Sequence, residues 1–126
     1  MRKLVVLTLL VGLLVVASSA ALAHEKVKLT GYLVDSMCAA GHTKDKPEDA
    51  AKFAAEHTKE CSLMEDCVKS GFGVFVDGKC FPFDAKGNEI AKGLVEKTIK
   101  KDHIKVIVEG MKHDGKILVE KIGETE

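Results

Sequence analysis

Gly73-Val74-Phe75-Val76-Asp77-Gly78-Lys79-Cys80-Phe81-Pro82-Phe83 reads as two short strands joined by a two-residue turn. Asp-Gly between apolar runs favours a turn with two left-handed residues, whose twist matches that of the flanking strands. Pro82 lacks a backbone donor, so the second strand suits a sheet edge or a bulge. Phe81 and Phe83 share one face of that strand, and Cys80 and Pro82 share the other. Two aromatics gain most from burial, so Phe81 and Phe83 are expected in the core. Cys80 is then expected on the opposite face, under the helical insertion proposed below.

On the N-terminal side of this hairpin, residues 27–34 alternate apolar and polar at first, as a half-buried strand does. Gly31 sits where a bulge or bend would let that strand curl. Residues 38–46 read as a polar loop. Pro47 suits a first helical turn, with Glu48 and Asp49 at its positive end. Ala50, Phe53, Ala54, His57 and Cys61 fall at helical spacing on one face. Ser62-Leu63-Met64-Glu65 reads as a capping box for a second helix, which Gly71 ends.

On the C-terminal side, Asp84-Ala85-Lys86-Gly87-Asn88 is a turn whose Asn88 can cap a helix. Ile90, Leu94, Val95 and Ile99 form that helix's apolar stripe. Ile104, Val106 and Val108 then alternate on a strand, and Lys112-His113-Asp114-Gly115-Lys116 turns into a last strand. The order is strand, helical insertion, hairpin, helix, hairpin. Five strands with a helix between the third and fourth is the order of an OB-fold barrel. The expectation is a mainly-β, five-stranded, OB-fold-like β-barrel, with helices between strands 1 and 2 and between strands 3 and 4.

The ends bound the compartment. Met1-Arg2-Lys3 is a positive n-region, the run to Val16 is apolar, and Ala21-Leu22-Ala23 is an A-x-A cleavage site. Residues 1–23 read as a secretory signal peptide, too short for a membrane span, and residues 24–126 as one exported domain, periplasmic or extracellular. No stable membrane insertion is expected after cleavage. Nineteen basic residues balance nineteen acidic ones. Cleavage removes Arg2 and Lys3 and leaves a slight acidic excess. No basic face with interleaved aromatics is legible, which argues against nucleic acid as a partner.

The chemistry lies in four cysteines and a histidine: Cys38, His57, Cys61, Cys67 and Cys80. Exported thiols serve as disulfides or as metal ligands. His57 and Cys61 are spaced i,i+4, Cys67 lies beyond a kink, and Cys38 can approach from the strand end. Cys38, His57, Cys61 and Cys67 would make a tetrahedral zinc set, and thiolates with Met37 or Met64 nearby would suit Cu(I). The alternative is one or two structural disulfides, with Cys38 joined to Cys61 or Cys67, in an adaptor that binds an envelope protein or a saccharide. A third reading is a thiol redox protein, although no C-x-x-C is present. No catalytic nucleophile set, carboxylate pair or phosphate loop is legible, which points away from an enzyme. Asp35 is read as a turn or cap residue. His24, the new N-terminus after cleavage, could chelate copper if His42, His103 or His113 approached it.

Gly31-Tyr32-Leu33-Val34-Asp35-Ser36-Met37-Cys38, then His57, Cys61 and Asp66-Cys67-Val68-Lys69-Ser70-Gly71-Phe72-Gly73-Val74, then Asp77-Gly78-Lys79, together resemble a group of small exported bacterial proteins of uncharacterised function. The shared signature is Gly-x-x-Val-Asp-x-x-Cys, a His before a Cys pair, and a Gly-rich start to the next strand. The resemblance covers nearly all of residues 24–126 and implies an OB-fold-like domain. Cys80 stands outside the signature, as an extra disulfide partner or a free thiol.

Overall fold

A computed structural model describes residues 25–42 and 44–126. Residues 1–23, expected to be a signal peptide, and His24 lie outside the described residues. Among those described, no helix is long and apolar enough to cross a membrane. The elements run β1 (Glu25–Asp35), α1 (Ser36–His42), α2 (Pro47–Glu56), α3 (Lys59–Ser62), α4 (Glu65–Ser70), β2 (Phe72–Val76), β3 (Lys79–Pro82), α5 (Ala85–Lys97), β4 (Lys105–His113) and β5 (Lys116–Glu124).

The five strands form one antiparallel sheet in the order β3-β2-β1-β4-β5. β1 is the central strand and changes partner along its length: residues 25–32 pair with β4, and residues 32–35 pair with β2. The sheet is not closed into a barrel by a ladder. Its two edges meet at a single parallel bridge between Phe83 and Ile117, where the Asp84 N–H also donates to the Ile117 carbonyl at 3.0 Å.

Both hairpin turns form as their residues require. Asp77 and Gly78 have φ of 47° and 82°, and Asp114 and Gly115 have 48° and 75°, so each pair supplies two left-handed residues. β3, which carries Pro82, is an edge strand. Gly31 is not a bulge. The pairing of β1 continues through it, and the register shift lies in β4 between Glu109 and Gly110. Gly31 instead permits a close crossing, because a Cβ there would stand 2.1 Å from the Phe75 carbonyl oxygen.

Two apolar clusters lie on opposite faces of the sheet. The larger joins Leu33, Phe72, Val74, Phe83, Val106, Val108, Ile117 and Val119 to Ala91 and Val95 of α5. The smaller joins Val34 and Phe75 to Ala39 of α1 and to Ala50 and Ala54 of α2. Phe83 is buried and Phe81 partly buried against the first cluster, while Cys80 packs against the second, beneath the helical insertion.

Several local expectations are corrected. Residues 36–42 form a helix rather than a loop, because the Asp35 carboxylate accepts the Cys38 N–H at 2.9 Å and starts the turn. The helix begun at Pro47 stops at Glu56, and His57 takes extended backbone angles. Ser62 is buried and caps nothing; Met64 precedes α4. Asp84, not Asn88, caps α5 by accepting the Gly87 N–H, and Asn88 accepts the Phe72 N–H instead. α5 ends at Lys97 with Thr98 as an extended C-cap, so Ile99 falls off its stripe and is 99% exposed.

Candidate metal centre

Hydrogen bonds fasten the insertion around the end of β1. The Ser36 N–H donates to the Gly71 carbonyl at 2.8 Å, and the Met37 N–H donates to Ser70 Oγ at 3.0 Å. Ser70 Oγ in turn donates to the Cys67 carbonyl at 2.7 Å. These bonds set α1 beside α4 and bring Cys38 to Cys67. Thr58 caps α3 by accepting the Cys61 N–H at 3.1 Å. The Lys59 N–H donates to the Lys101 carbonyl at 2.7 Å, and Lys59 Nζ donates to the Thr98 carbonyl at 2.8 Å. The His103 N–H donates to the Ala55 carbonyl at 2.7 Å and holds the end of α2.

These restraints gather Asp35, Cys38, Cys61 and Cys67, whose ligand atoms all lie within 4.8 Å of one another. The Sγ atoms of Cys38 and Cys61 are 3.9 Å apart, and all four cysteines of the chain are free thiols. Asp35 and Cys67 are buried; Cys38 and Cys61 are half-buried.

The fourth member of the group is therefore Asp35, not His57. His57 lies behind the carboxylate, its Nε2 2.5 Å from Asp35 Oδ2, with both side chains shielded from water. Its helix has already ended, so the i,i+4 spacing to Cys61 does not place the two on one helical face. Asp35 does act as the cap expected of it, through the Cys38 N–H. Its larger role had one legible signal: it continues the run Leu33-Val34, so a carboxylate ends a strand where an apolar residue would be ordinary.

The electrostatics are coherent. Burial alone would push the Asp35 carboxyl up, but the hydrogen bonds from His57 and the Cys38 N–H outweigh it and hold it below its ordinary value. A carboxylate only accepts, which assigns a proton to His57 Nε2. Burial first, and then the Asp35 charge, push the Cys38 and Cys67 thiols up. A divalent cation would reverse that preference, because a coordinated thiol is deprotonated.

Cys80 lies outside the group, and burial against the second cluster pushes its thiol up to about 11. Among the described residues, the other histidines face neighbouring acids: His42 with Asp45, His103 with Asp102, and His113 with Asp114. No family model, curated protein or solved structure matches this chain.

Proposed function

We propose that the chain is an exported, OB-like cell-envelope module that binds a transition metal through Asp35, Cys38, Cys61 and Cys67. The observation that carries this reading is the convergence of three thiols and one carboxylate within 4.8 Å. Zinc held at about 2.3 Å from each sulfur of a tetrahedron sets those sulfurs about 3.8 Å apart. The Cys38–Cys61 separation of 3.9 Å suits that edge and is far too long for a disulfide bond. The carboxylate oxygen favours divalent zinc over a purely soft ion. His57 belongs to the outer shell, where it orients the ligating carboxylate. The approach of the two sheet edges at Phe83 and Ile117 supports the OB-like arrangement, and the resemblance of the Gly31–Gly73 signature supports export.

Cu(I) is the second reading. Met37 and Met64 favour it, because they carry soft thioethers and lie in sequence beside Cys38 and between Cys61 and Cys67.

Chelator-competition titration of the reduced protein with Zn²⁺, and anaerobically with Cu(I), tests the site. One ion per chain is expected, with affinity lost in Cys67→Ser and weakened in Asp35→Asn. Co²⁺ should give thiolate-to-metal charge-transfer absorption. Absence of stoichiometric binding to the folded, reduced chain would overturn the reading, and binding unaffected by Asp35→Asn would remove the carboxylate from it.

A further inference from the structure

We propose that Cys38 and Cys61 are a disulfide-forming pair, closed by exchange with a low-molecular-weight disulfide, and that closing it expels the metal. The second half rests on the metal-binding reading above; the choice of pair rests on geometry alone.

The four cysteines differ in access and in neighbours. Cys67 is 4% exposed, and Cys80 lies outside the cluster, beneath the insertion. Cys38 and Cys61 are half-buried, with sulfurs 3.9 Å apart. A groove of about 330 Å³, lined by Phe53, Glu56, His57, Thr58 and Cys61, opens onto Cys61 and onto no other cysteine. A small disulfide reaching the cluster by that groove therefore meets Cys61 first. The sulfurs must then close by about 2 Å to bond. Rotation of the two side chains and a small shift of α3, a single four-residue turn, supply that movement.

The exchange balances. The Cys61 thiolate attacks one sulfur of the small disulfide, its S–S bond breaks, and one small thiolate leaves and takes up a proton from water. The Cys38 thiolate then attacks the Cys61 sulfur of the mixed disulfide and releases the second small thiol. In the loaded protein the two metal-bound thiolates lose two electrons, the small disulfide gains them, the two small thiolates released take their protons from water, and zinc leaves as the divalent ion; in stripped protein the two protons come from the cysteine thiols. The bridge removes two of the four ligands and leaves Asp35 and Cys67, too few to hold the ion.

The test treats zinc-loaded protein with oxidised glutathione. A chromophoric chelator follows zinc, and peptide mass spectrometry maps the disulfides; metal-stripped protein is mapped in parallel. The expected result is a Cys38–Cys61 bridge, with one zinc released per bridge formed. Cys80→Ser should release zinc at the same rate, and metal-stripped Cys61→Ser should leave Cys38 out of any bridge. A bridge containing Cys67 or Cys80, or a Cys38–Cys61 bridge formed with zinc retained, would overturn the proposal. The two readings fail separately. Stripped protein that forms the Cys38–Cys61 bridge but never binds zinc removes the metal and keeps the pair. Protein that binds zinc but never forms this bridge does the reverse.

Discussion

His57 Nε2 lies 2.5 Å from Asp35 Oδ2, and the two side chains are 3% and 0% exposed. Asp35 spends its other oxygen on the Cys38 N–H. The carboxylate is thus oriented from two sides before any cation arrives. Removing an outer-shell partner of this kind typically costs about 10-fold to 100-fold in metal affinity. His57→Ala is expected to weaken zinc binding by about that factor. It should also destabilise the metal-free protein by about 3 kcal/mol, because a buried carboxylate loses its partner. Competition titration and urea denaturation read the two effects. Unchanged affinity in a folded variant would show that His57 does not orient the ligand.

The metal-free protein should be most stable between weakly acidic and mildly alkaline pH. The folded Asp35 carboxyl is depressed, so its contribution is present above the ordinary value and is lost as pH falls through the depressed one. The Cys80 thiol is raised by burial from 9.0 to about 11, so its contribution is full below 9.0 and is lost as pH rises toward 11. Cys38 and Cys67 act in the same direction. Zinc should remove the alkaline loss due to Cys38 and Cys67, whose thiolates it stabilises, but not that due to Cys80. Denaturation midpoints across this range, with and without zinc and in Cys80→Ser, check the signs. A metal-free midpoint that rises above pH 9 would contradict them.

Gly31→Ala should be among the most damaging single-methyl additions. The new Cβ would meet the Phe75 carbonyl oxygen at 2.1 Å, where backbone rather than a flexible side chain must yield. A cost of about 3 kcal/mol is expected from overpacking of this kind. Chemical denaturation measures it, and near-wild-type stability would mean that β1 and β2 separate without penalty.

Val95 and Ile99 offer a direct contrast on α5 and its exit. Val95 is fully buried, and Ile99 is 99% exposed. Val95→Ala is expected to cost about 2 kcal/mol through the cavity it leaves. Ile99→Ala should stay within about 0.5 kcal/mol of wild type. Thermal melts of the two variants, side by side, would reverse that order if the helix ran on past Thr98.

Local chemistry was legible wherever a residue's backbone preference decides the outcome. Asp77-Gly78 and Asp114-Gly115 form their turns because few other pairs tolerate two left-handed residues. Ile104, Val106 and Val108 are buried as their alternation requires, and Pro47 starts α2. Helix ends were less legible. Whether His57 continued a helix or left it depended on the bonds that the Ala55 carbonyl and the Lys59 N–H make to the segment before β4. An isolated spacing rule contains no such partner.

By itself, then, the sequence determined the five strands and their order along the chain, both hairpin turns, the faces of Phe83 and Cys80, and the presence of a sulfur-rich insertion. These follow from φ preferences and from periodicity, which act over a few residues. Only the tertiary structure decided that Asp35 joins Cys38, Cys61 and Cys67, that His57 stands behind it, and that Cys80 stays apart. Asp35 lies 22 residues from His57, its hydrogen-bond partner. Their meeting depends on how four short helices fold back over the end of β1, which no local preference encodes.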